Sequence, residues 1–257
     1  MPTTFYRRGP DHRAGAPATF LDVRRRFNFR SVEIGRWVTE PEKQRSAGLF
    51  YDALCDLMTN LGGTEPLISL RGTLALQYGI GGRPGVSAHY TPATRSFALA
   101  KNAGPGSIAH EWFHAFDHYI ADKLFPGVAK GDFGSRLWLT REDPISHPLN
   151  DRLQACYRAV LLDATGNQPS DLFRASASAD KAAGVHYYSQ PEELCARAFE
   201  AFIQDAPCKN AFLVKGTKET EEARLGLYPQ GEERTRINAA FQGYFQSLGT
   251  ALRRSEG

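Results

Sequence analysis

The segment SIAHEWFHAFDHYI, residues 107–120, carries three of the seven histidines of a 257-residue chain on one predicted helix. His110 and His114 are four positions apart, so an α-helix presents both imidazoles on one face. A buried imidazole needs a hydrogen-bond partner, and a helix that only packs uses leucine and alanine instead. The spacing therefore indicates a shared partner, for which a metal ion is the simplest candidate.

Residues 110–114 have the pattern His-Glu-x-x-His, which is typical of zinc metallopeptidases. Two imidazole nitrogens can bind one tetrahedral zinc ion at about 2.0–2.1 Å. Glu111 then lies at the rim of the site, where its carboxylate can take a proton from a zinc-bound water. The alternative is a pair of histidines that make ordinary hydrogen bonds. The pattern favours a catalytic zinc bound by His110 and His114, with Glu111 as general base.

Two further polar residues follow on the same predicted helix. His118 lies eight residues beyond His110, about 12 Å along a helix axis. A straight helix cannot bring three such side chains to one ion, so we assign His118 to the surface or to the surroundings of the metal. Asp117 has two interpretations, because it could orient an imidazole or be a surface acid.

A catalytic zinc usually has three protein ligands, so a third one is expected further along the chain. The segment PEELCARAFEAFIQD, residues 191–205, predicts an apolar helix that carries Glu192, Glu193 and Glu200. The helix dipole favours acids in the first turn in any case. An ion-pair stripe of Glu193, Arg197 and Glu200 is a second alternative. The spacing alone leaves the ligand open among the three acids.

The residues just before this predicted helix are candidates for a hydrogen-bond donor to a developing oxyanion. Tyr187 and Tyr188 can supply a hydroxyl, and His186 is a rival. Such a donor contributes about 2.7–4 kcal/mol to stabilisation of a transition state. The alternative for both tyrosines is aromatic packing against a sheet.

The composition describes an ordinary globular chain. It is 42% hydrophobic and 23% charged with a net charge of +3, and no apolar run reaches the roughly 18 residues of a membrane span. The four cysteines are widely spaced, and the N-terminus has no apolar signal segment. These features predict a cytoplasmic protein that does not bind membranes.

The first 30 residues form a basic segment. They contain seven arginines and two aspartates, a net charge of 7 − 2 = +5. With its aromatic residues this arm could contact phosphates, which suggests nucleic acid as a partner. The alternative is a solvated lead-in. We expect a basic, partly flexible arm over residues 1–30 and one domain over residues 31–257, so that deletion of residues 1–26 leaves the thermal midpoint nearly unchanged.

Periodicity and turn residues predict the remaining elements. Ser107 is the expected N-cap of the histidine helix. Residues 86–100 form a predicted β-hairpin around the turn TPATR. Other helices are predicted over 40–61, 149–164, 191–205 and about 232–248, and loops over 125–148 and 166–184.

Four segments together resemble a known family. They are HYTPATRSFALAK (89–101), SIAHEWFHAFDHY (107–119), YYSQPEELCARAFEAFI (187–203) and YPQGEERTRINAAF (228–241). In this order they resemble the zincin-like large polyvalent protein-associated domain, type 1, which occurs in proteins of phages, plasmids and conjugative elements. The similarity extends from about Phe27 to Phe245.

The resemblance implies an α+β fold of the gluzincin metallopeptidase type. Its parts are a small mixed sheet with an edge strand over the cleft, the HExxH active-site helix and a third-ligand helix. The segment ExxARxF, residues 193–199, resembles the third-ligand helix of small gluzincins, which points to Glu193 as the third zinc ligand. Tyr188 and Cys195 depart from the commoner family residues, but they leave the implied metal ligands unchanged.

The function implied is hydrolysis of a protein or peptide substrate that lies extended along the edge strand. The location is the cytoplasm, or a recipient cell after delivery. The alternative is a zincin-fold binding module, or a DNA-associated protein of a mobile element, in which zinc has a non-catalytic role.

Overall fold

Helices form most of this α+β structure, a computed structural model that describes residues 5–80, 88–101 and 106–256. The helices are α1 Phe20–Phe27, α2 Glu40–Leu61, α3 Glu65–Ile68, α4 Ser107–Leu124, α5 Gly134–Thr140, α6 Pro148–Leu161, α7 Asp171–Ala183, α8 Pro191–Asp205, α9 Glu221–Arg224 and α10 Gly231–Glu256. The strands are β1 Arg7–Arg8, β2 Val32–Ile34, β3 Ala75–Tyr78, β4 Ala88–Thr91, β5 Ser96–Leu99 and β6 Lys209–Asn210.

The larger sheet is mixed and has the strand order β2-β3-β5-β4. Strands β2, β3 and β5 are parallel, whereas β4 runs antiparallel to β5 and lies at the edge. The β4–β5 pair, joined by a 3₁₀ turn over Pro92–Thr94, confirms the predicted hairpin. Positions 86 and 87 of that prediction lie outside the described residues.

Helices α4, α8 and α10 pack together through aromatic side chains. Trp112 and Phe113 of α4 lie with their ring centroids 5.5 and 4.9 Å from that of Phe199 in α8. Phe199 in turn contacts Phe241 and Phe245 of α10 at 5.8 and 5.6 Å. We call these five residues the aromatic cluster. All five are almost completely buried, so the cluster fixes the position of α4 relative to α8.

Strongly periodic helices were predicted well. Helices α2 and α8 have the predicted bounds, and both start with a proline in the first turn. Gly62 ends α2 in the left-handed region, with φ of 58°, where glycine is favoured. Helix α10 continues to residue 256, beyond the predicted end near 248.

Three local predictions were wrong. The predicted loop 125–148 contains α5, and the predicted loop 166–184 contains α7, which starts at the N-cap Ser170. Helix α7 is rich in alanine and serine, small residues that are also common in loops although alanine is a strong helix former, and α5 has only seven residues, too few for a clear periodic pattern. Gly106, rather than Ser107, caps α4: its φ is 109°, and a Cβ there would lie 2.8 Å from the backbone nitrogen of Lys215.

The prediction of a flexible N-terminal arm is also wrong for the described residues 5–30. Helix α1 buries Phe20, Val23 and Phe27 in the main core. Strand β1 pairs with β6, which lies about 200 residues further along the chain. Arg7 forms an ion pair with the buried Asp56, whose carboxylate lies 2.7 Å from the Arg7 Nε atom. The segment is therefore part of the folded core.

Truncation of a core residue in α1 tests this correction. Replacing Phe27, which is fully buried, with alanine is expected to lower the free energy of unfolding by about 3–5 kcal/mol, because it leaves a cavity. Leu21→Ala in the same helix is the control, since Leu21 is 49% exposed and its loss should cost within about 0.5 kcal/mol. Denaturant titration measures both. If both variants lose the same small amount of free energy of unfolding, α1 is not part of the core and the prediction of a flexible arm is correct.

The cysteines are buried side chains, and all four are free thiols. Burial raises the pKa of each, that of Cys55 to about 11. Because the thiolate is the form that attacks or binds metal, these cysteines do not supply a reactive group. In the part of the chain that the structure describes, no helix has the length and apolar character needed to cross a membrane.

Candidate metal centre

Two helices bring three ligand atoms together at one point. The Nε2 atoms of His110 and His114 on α4 are 3.0 Å apart. The Glu193 carboxylate of α8 lies between them, with Oε2 at 3.3 Å from His110 Nε2 and Oε1 at 3.3 Å from His114 Nε2. His114 and Glu193 are buried, and His110 is nearly so. These three residues form a group that could hold a metal ion.

The separations of the ligand groups are similar to those around a tetrahedral ion. Ligands bound tetrahedrally at about 2.0–2.1 Å lie roughly 3.3–3.4 Å from one another; here the two nitrogens are 3.0 Å apart, and each lies 3.3 Å from a different oxygen of the Glu193 carboxylate. The Glu193 Oε2 atom is buried, and its contact with His110 Nε2 at 3.3 Å does not have the geometry of a hydrogen bond. Either a proton on His110 or a metal ion between the two side chains would balance the charge of this buried carboxylate. The group therefore fits a metal in both geometry and donor chemistry.

A second carboxylate orients one of the imidazoles. The Oε1 atom of Glu200 lies 2.6 Å from His110 Nδ1, and the Tyr228 hydroxyl donates to its Oε2 atom at 3.2 Å. A proton on Nδ1 leaves the lone pair of Nε2 directed at the centre, as is usual for metal-bound histidine. Burial lowers the pKa of His110, but the hydrogen bonds to Glu193 and Glu200 outweigh it and raise that pKa well above 6.5.

Loss of the Glu200 carboxylate is expected to weaken the centre. Glu200→Gln should lower metal affinity by about 10–100-fold, because such outer partners orient a ligand without touching the ion. Competition with a chromogenic chelator measures the affinity. Glu192→Gln on the same helix should leave it unchanged. Equal affinities for wild type and Glu200→Gln would show that His110 needs no such partner.

Glu111 lies beside this group and is 8% exposed. Burial raises the pKa of its carboxyl, and the nearby His110 and His114 lower it less strongly. His89 on β4 is close enough for its charge also to lower that pKa. No described residue forms a hydrogen bond with the Glu111 side chain. The carboxylate is therefore free to accept a proton from a molecule in the site.

The other acids that the sequence offered have different roles. Glu192 points to α5, where it forms an ion pair with Arg136. Glu200 contacts His110 from the side away from the three ligand atoms, through Nδ1 instead of Nε2. Of the three glutamates of α8, the structure brings only Glu193 within reach of both Nε2 atoms.

Both interpretations of Asp117 were wrong. It is completely buried and accepts hydrogen bonds from the backbone N–H and hydroxyl of Ser135 and from the Tyr157 hydroxyl, at 2.9, 2.5 and 2.6 Å. It thus joins α4 to α5 and α6.

His118 lies away from the centre, as its spacing predicted. Its Nδ1 atom is 2.7 Å from the Tyr90 hydroxyl, and this contact connects α4 to the edge strand β4.

The candidate oxyanion donors lie on a loop held by one carboxylate. Asp180 accepts hydrogen bonds from the backbone N–H groups of Tyr187, Tyr188 and Ser189 at 2.8–3.0 Å. Against the effect of its burial, these bonds and the Ser189 hydroxyl lower the pKa of Asp180 to about 2. The carboxylate thus remains ionised over the working pH range and fixes the loop before α8.

Within that loop the three candidates differ in surroundings. Tyr187 is 43% exposed, and partial burial together with the nearby Glu193 carboxylate raises the pKa of its phenol, so the hydroxyl stays protonated. Tyr188 instead places its ring 4.9 Å from the Arg197 guanidinium carbon. His186 is exposed. A role for Tyr187 or Tyr188 in oxyanion binding stays a prediction.

Arg197 does not form the ion-pair stripe considered from its spacing. It is 8% exposed, and its Nε and Nη1 atoms are buried without a hydrogen-bond partner. Its guanidinium lies between the rings of Tyr188 and Tyr228, at 4.9 and 5.7 Å from their centroids. Neither Glu193 nor Glu200 reaches it as an ion pair among the described residues. Spacing along α8 placed these charges on one face without bringing them into contact.

The fold and this group define an α+β protein with a candidate centre for one metal ion. The family model of large polyvalent protein-associated domain 1 matches residues 179–252, which are 74 of the 257 residues. No curated protein and no solved structure matches the chain. The matched segment includes Glu193, Glu200 and Tyr228, whereas His110 and His114 precede it. The spacing along α8 favours Glu200 as a residue beside the metal ligands rather than a ligand, and the structure identifies its partner as His110. Tyr228 was not identified from the sequence, although it lies in a segment that carried the resemblance.

Proposed function

We propose that this protein is a zinc-dependent metallopeptidase with a zincin-like fold of the gluzincin type. The observation that carries the proposal is the convergence of His110, His114 and Glu193 next to the unpaired carboxylate of Glu111. Two imidazoles and one carboxylate are a ligand set typical of catalytic zinc, which leaves a fourth position for water. The resemblance of the segments around these residues to gluzincins supports the same assignment.

In this proposal the side chains near the centre accept and donate the protons of the reaction. Zinc, when bound, would lower the pKa of its water towards about 7 and polarise the scissile carbonyl. Glu111 accepts the proton of the attacking water and passes it to the leaving amine. The protonated Tyr187 hydroxyl donates a hydrogen bond to the developing oxyanion, with Tyr188 as the alternative donor.

Strand β4 offers a free edge along which an extended substrate would lie. Strand β4 pairs with β5 on one side only among the described residues, and it packs against α4. His89 of β4 lies near Glu111. An extended peptide that adds to the free edge of β4 through main-chain hydrogen bonds would therefore pass the candidate centre. Such binding recognises the backbone first.

Cleavage of a peptide library tests the function. Zinc-loaded wild-type protein should generate new peptide termini, detected by mass spectrometry, and the Glu111→Gln variant should generate none. If the wild type binds a full equivalent of zinc by elemental analysis and cleaves nothing, the catalytic assignment fails. The remaining function would then be that of a binding module with non-catalytic zinc.

A further inference from the structure

Arg197 is a buried cation whose side chain is not used by the proposed mechanism. It is as buried as Arg234, which is also 8% exposed. Arg234 donates hydrogen bonds to both carboxylate oxygens of Asp205 at 2.6 and 3.1 Å and to four oxygens of neighbouring residues. Arg197 has no such acceptors, and two of its nitrogens are buried without a partner. The fold thus satisfies the guanidinium of Arg234 and leaves two nitrogens of the Arg197 guanidinium without a partner.

No carboxylate of the described residues lies within ion-pair distance of the Arg197 guanidinium. The rings of Tyr188 and Tyr228 flank the guanidinium with their faces, which attract a cation but accept none of its N–H groups in the plane. A buried cation without a hydrogen-bonded anion is strongly unfavourable. An arginine in this condition beside a candidate active site indicates a ligand that brings an anion with it.

The position of Arg197 relates this anion to the reacting bond. Arg197 lies one helical turn, roughly 6 Å, beyond Glu193 on α8. Tyr228, which contacts the guanidinium with its ring, also donates to Glu200, and Glu200 contacts His110. An extended peptide advances about 3.3 Å per residue. The rise of one helical turn from Glu193 to Arg197 along the axis of α8 thus equals the length of about two residues of an extended peptide.

We propose that Arg197 binds a carboxylate of the substrate, and this inference rests on the proposed function. The preferred peptides then carry a negative charge within about two residues of the scissile bond. The charge comes from one of two sources that share this chemistry, namely the C-terminal carboxylate of a short peptide or the side chain of an internal Asp or Glu. Arg197 acts as a specificity-determining residue in either case.

Equilibrium binding to the zinc-loaded Glu111→Gln protein tests the inference without turnover. The first pair of probes is acetyl-tetraalanine with a free C-terminus and the same peptide with a C-terminal amide. The second pair is an acetylated, amidated pentaalanine with glutamate or with glutamine at its centre. We expect the charged member of at least one pair to bind at least 10-fold more tightly, as measured by calorimetry. The pair that shows the preference identifies the source of the carboxylate.

The preference should depend on the charge of Arg197. Arg197→Met and Arg197→Gln, both in the Glu111→Gln background, should lose it and keep their zinc. Neither should lower the thermal midpoint, because each removes a buried charge that has no partner in the free protein. Arg136→Met is the matched control, since Arg136 is already paired with Glu192, and it should keep the preference.

Three results would overturn the inference. The first is equal binding of both members in both pairs. The second is a preference that survives in Arg197→Met or Arg197→Gln, or a fall in thermal midpoint in both variants with the preference intact. The third is tighter binding of inorganic phosphate than of every carboxylate probe. Peptide cleavage without any carboxylate preference would remove this inference alone, whereas a preference without cleavage by wild-type protein would remove the proposed function alone.

Discussion

Replacing Glu111 with glutamine is expected to lower kcat/KM for peptide hydrolysis by about 10²–10⁴-fold, the usual contribution of a general base. The amide cannot accept the proton of the attacking water, yet it has the same shape as the carboxylate. Glu111 is not one of the three residues of the candidate centre, so zinc content and fold should stay unchanged. Elemental analysis and the thermal midpoint check this in the same preparation.

Glu192→Gln is the matched control for this variant. Glu192 is buried like Glu111 but is directed to Arg136 on α5. Its replacement should therefore change kcat/KM by less than about threefold, since no reacting atom lies near it. Hydrolysis by Glu111→Gln at a rate close to that of wild type would remove Glu111 as the general base and leave the mechanism without a proton acceptor.

Replacing Glu193 with alanine is expected to remove zinc almost completely. The loss of affinity should exceed the 10–100-fold that is typical of outer partners, because a ligand itself is deleted. Glu192→Ala is the sharpest comparison: adjacent helical residues point about 100° apart, so only one of the two can face His110 and His114. Dialysis against a competing chelator, followed by elemental analysis, measures retained zinc.

The two histidine variants complete this test. His110→Ala and His114→Ala should each lose zinc as Glu193→Ala does, because each removes one of the three ligands. Full zinc occupancy in the histidine variants would remove the site altogether. Zinc retained by Glu193→Ala but lost from Glu192→Ala would assign the third ligand to Glu192.

The parts of the centre that could be predicted are those set by short spacing. His110 and His114 are one helical turn apart, so any α-helix over this segment brings their side chains together. The contact between Glu200 and His110 joins residues 90 positions apart. It depends on how α8 is rotated and shifted against α4, which the aromatic cluster determines. No local pattern encodes that arrangement, so the contact of Glu200 with His110 and the hydrogen bond from Tyr228 required the structure.

The error over residues 1–30 has a different origin. Phe20, Val23 and Phe27 have helical spacing, and Thr19 with Asp22 forms a capping box. A count of the arginines in the whole segment does not separate the two faces of α1, so it does not reveal the apolar face that these three residues form. Arg7 and Arg13 are moreover paired with Asp56 and Asp52, which reduces the charge available for phosphates. A nucleic-acid contact through this segment stays a prediction.

The aromatic cluster has a consequence for where this chain can be cut. The family match begins at residue 179, so its boundary separates Trp112 and Phe113 from Phe199, Phe241 and Phe245, although all five rings pack in one core. A fragment that begins at residue 179 would lack the rings of Trp112 and Phe113 and would expose the faces of Phe199 that they cover. The matched segment is therefore not expected to form a complete core when it is cut from the rest of the chain.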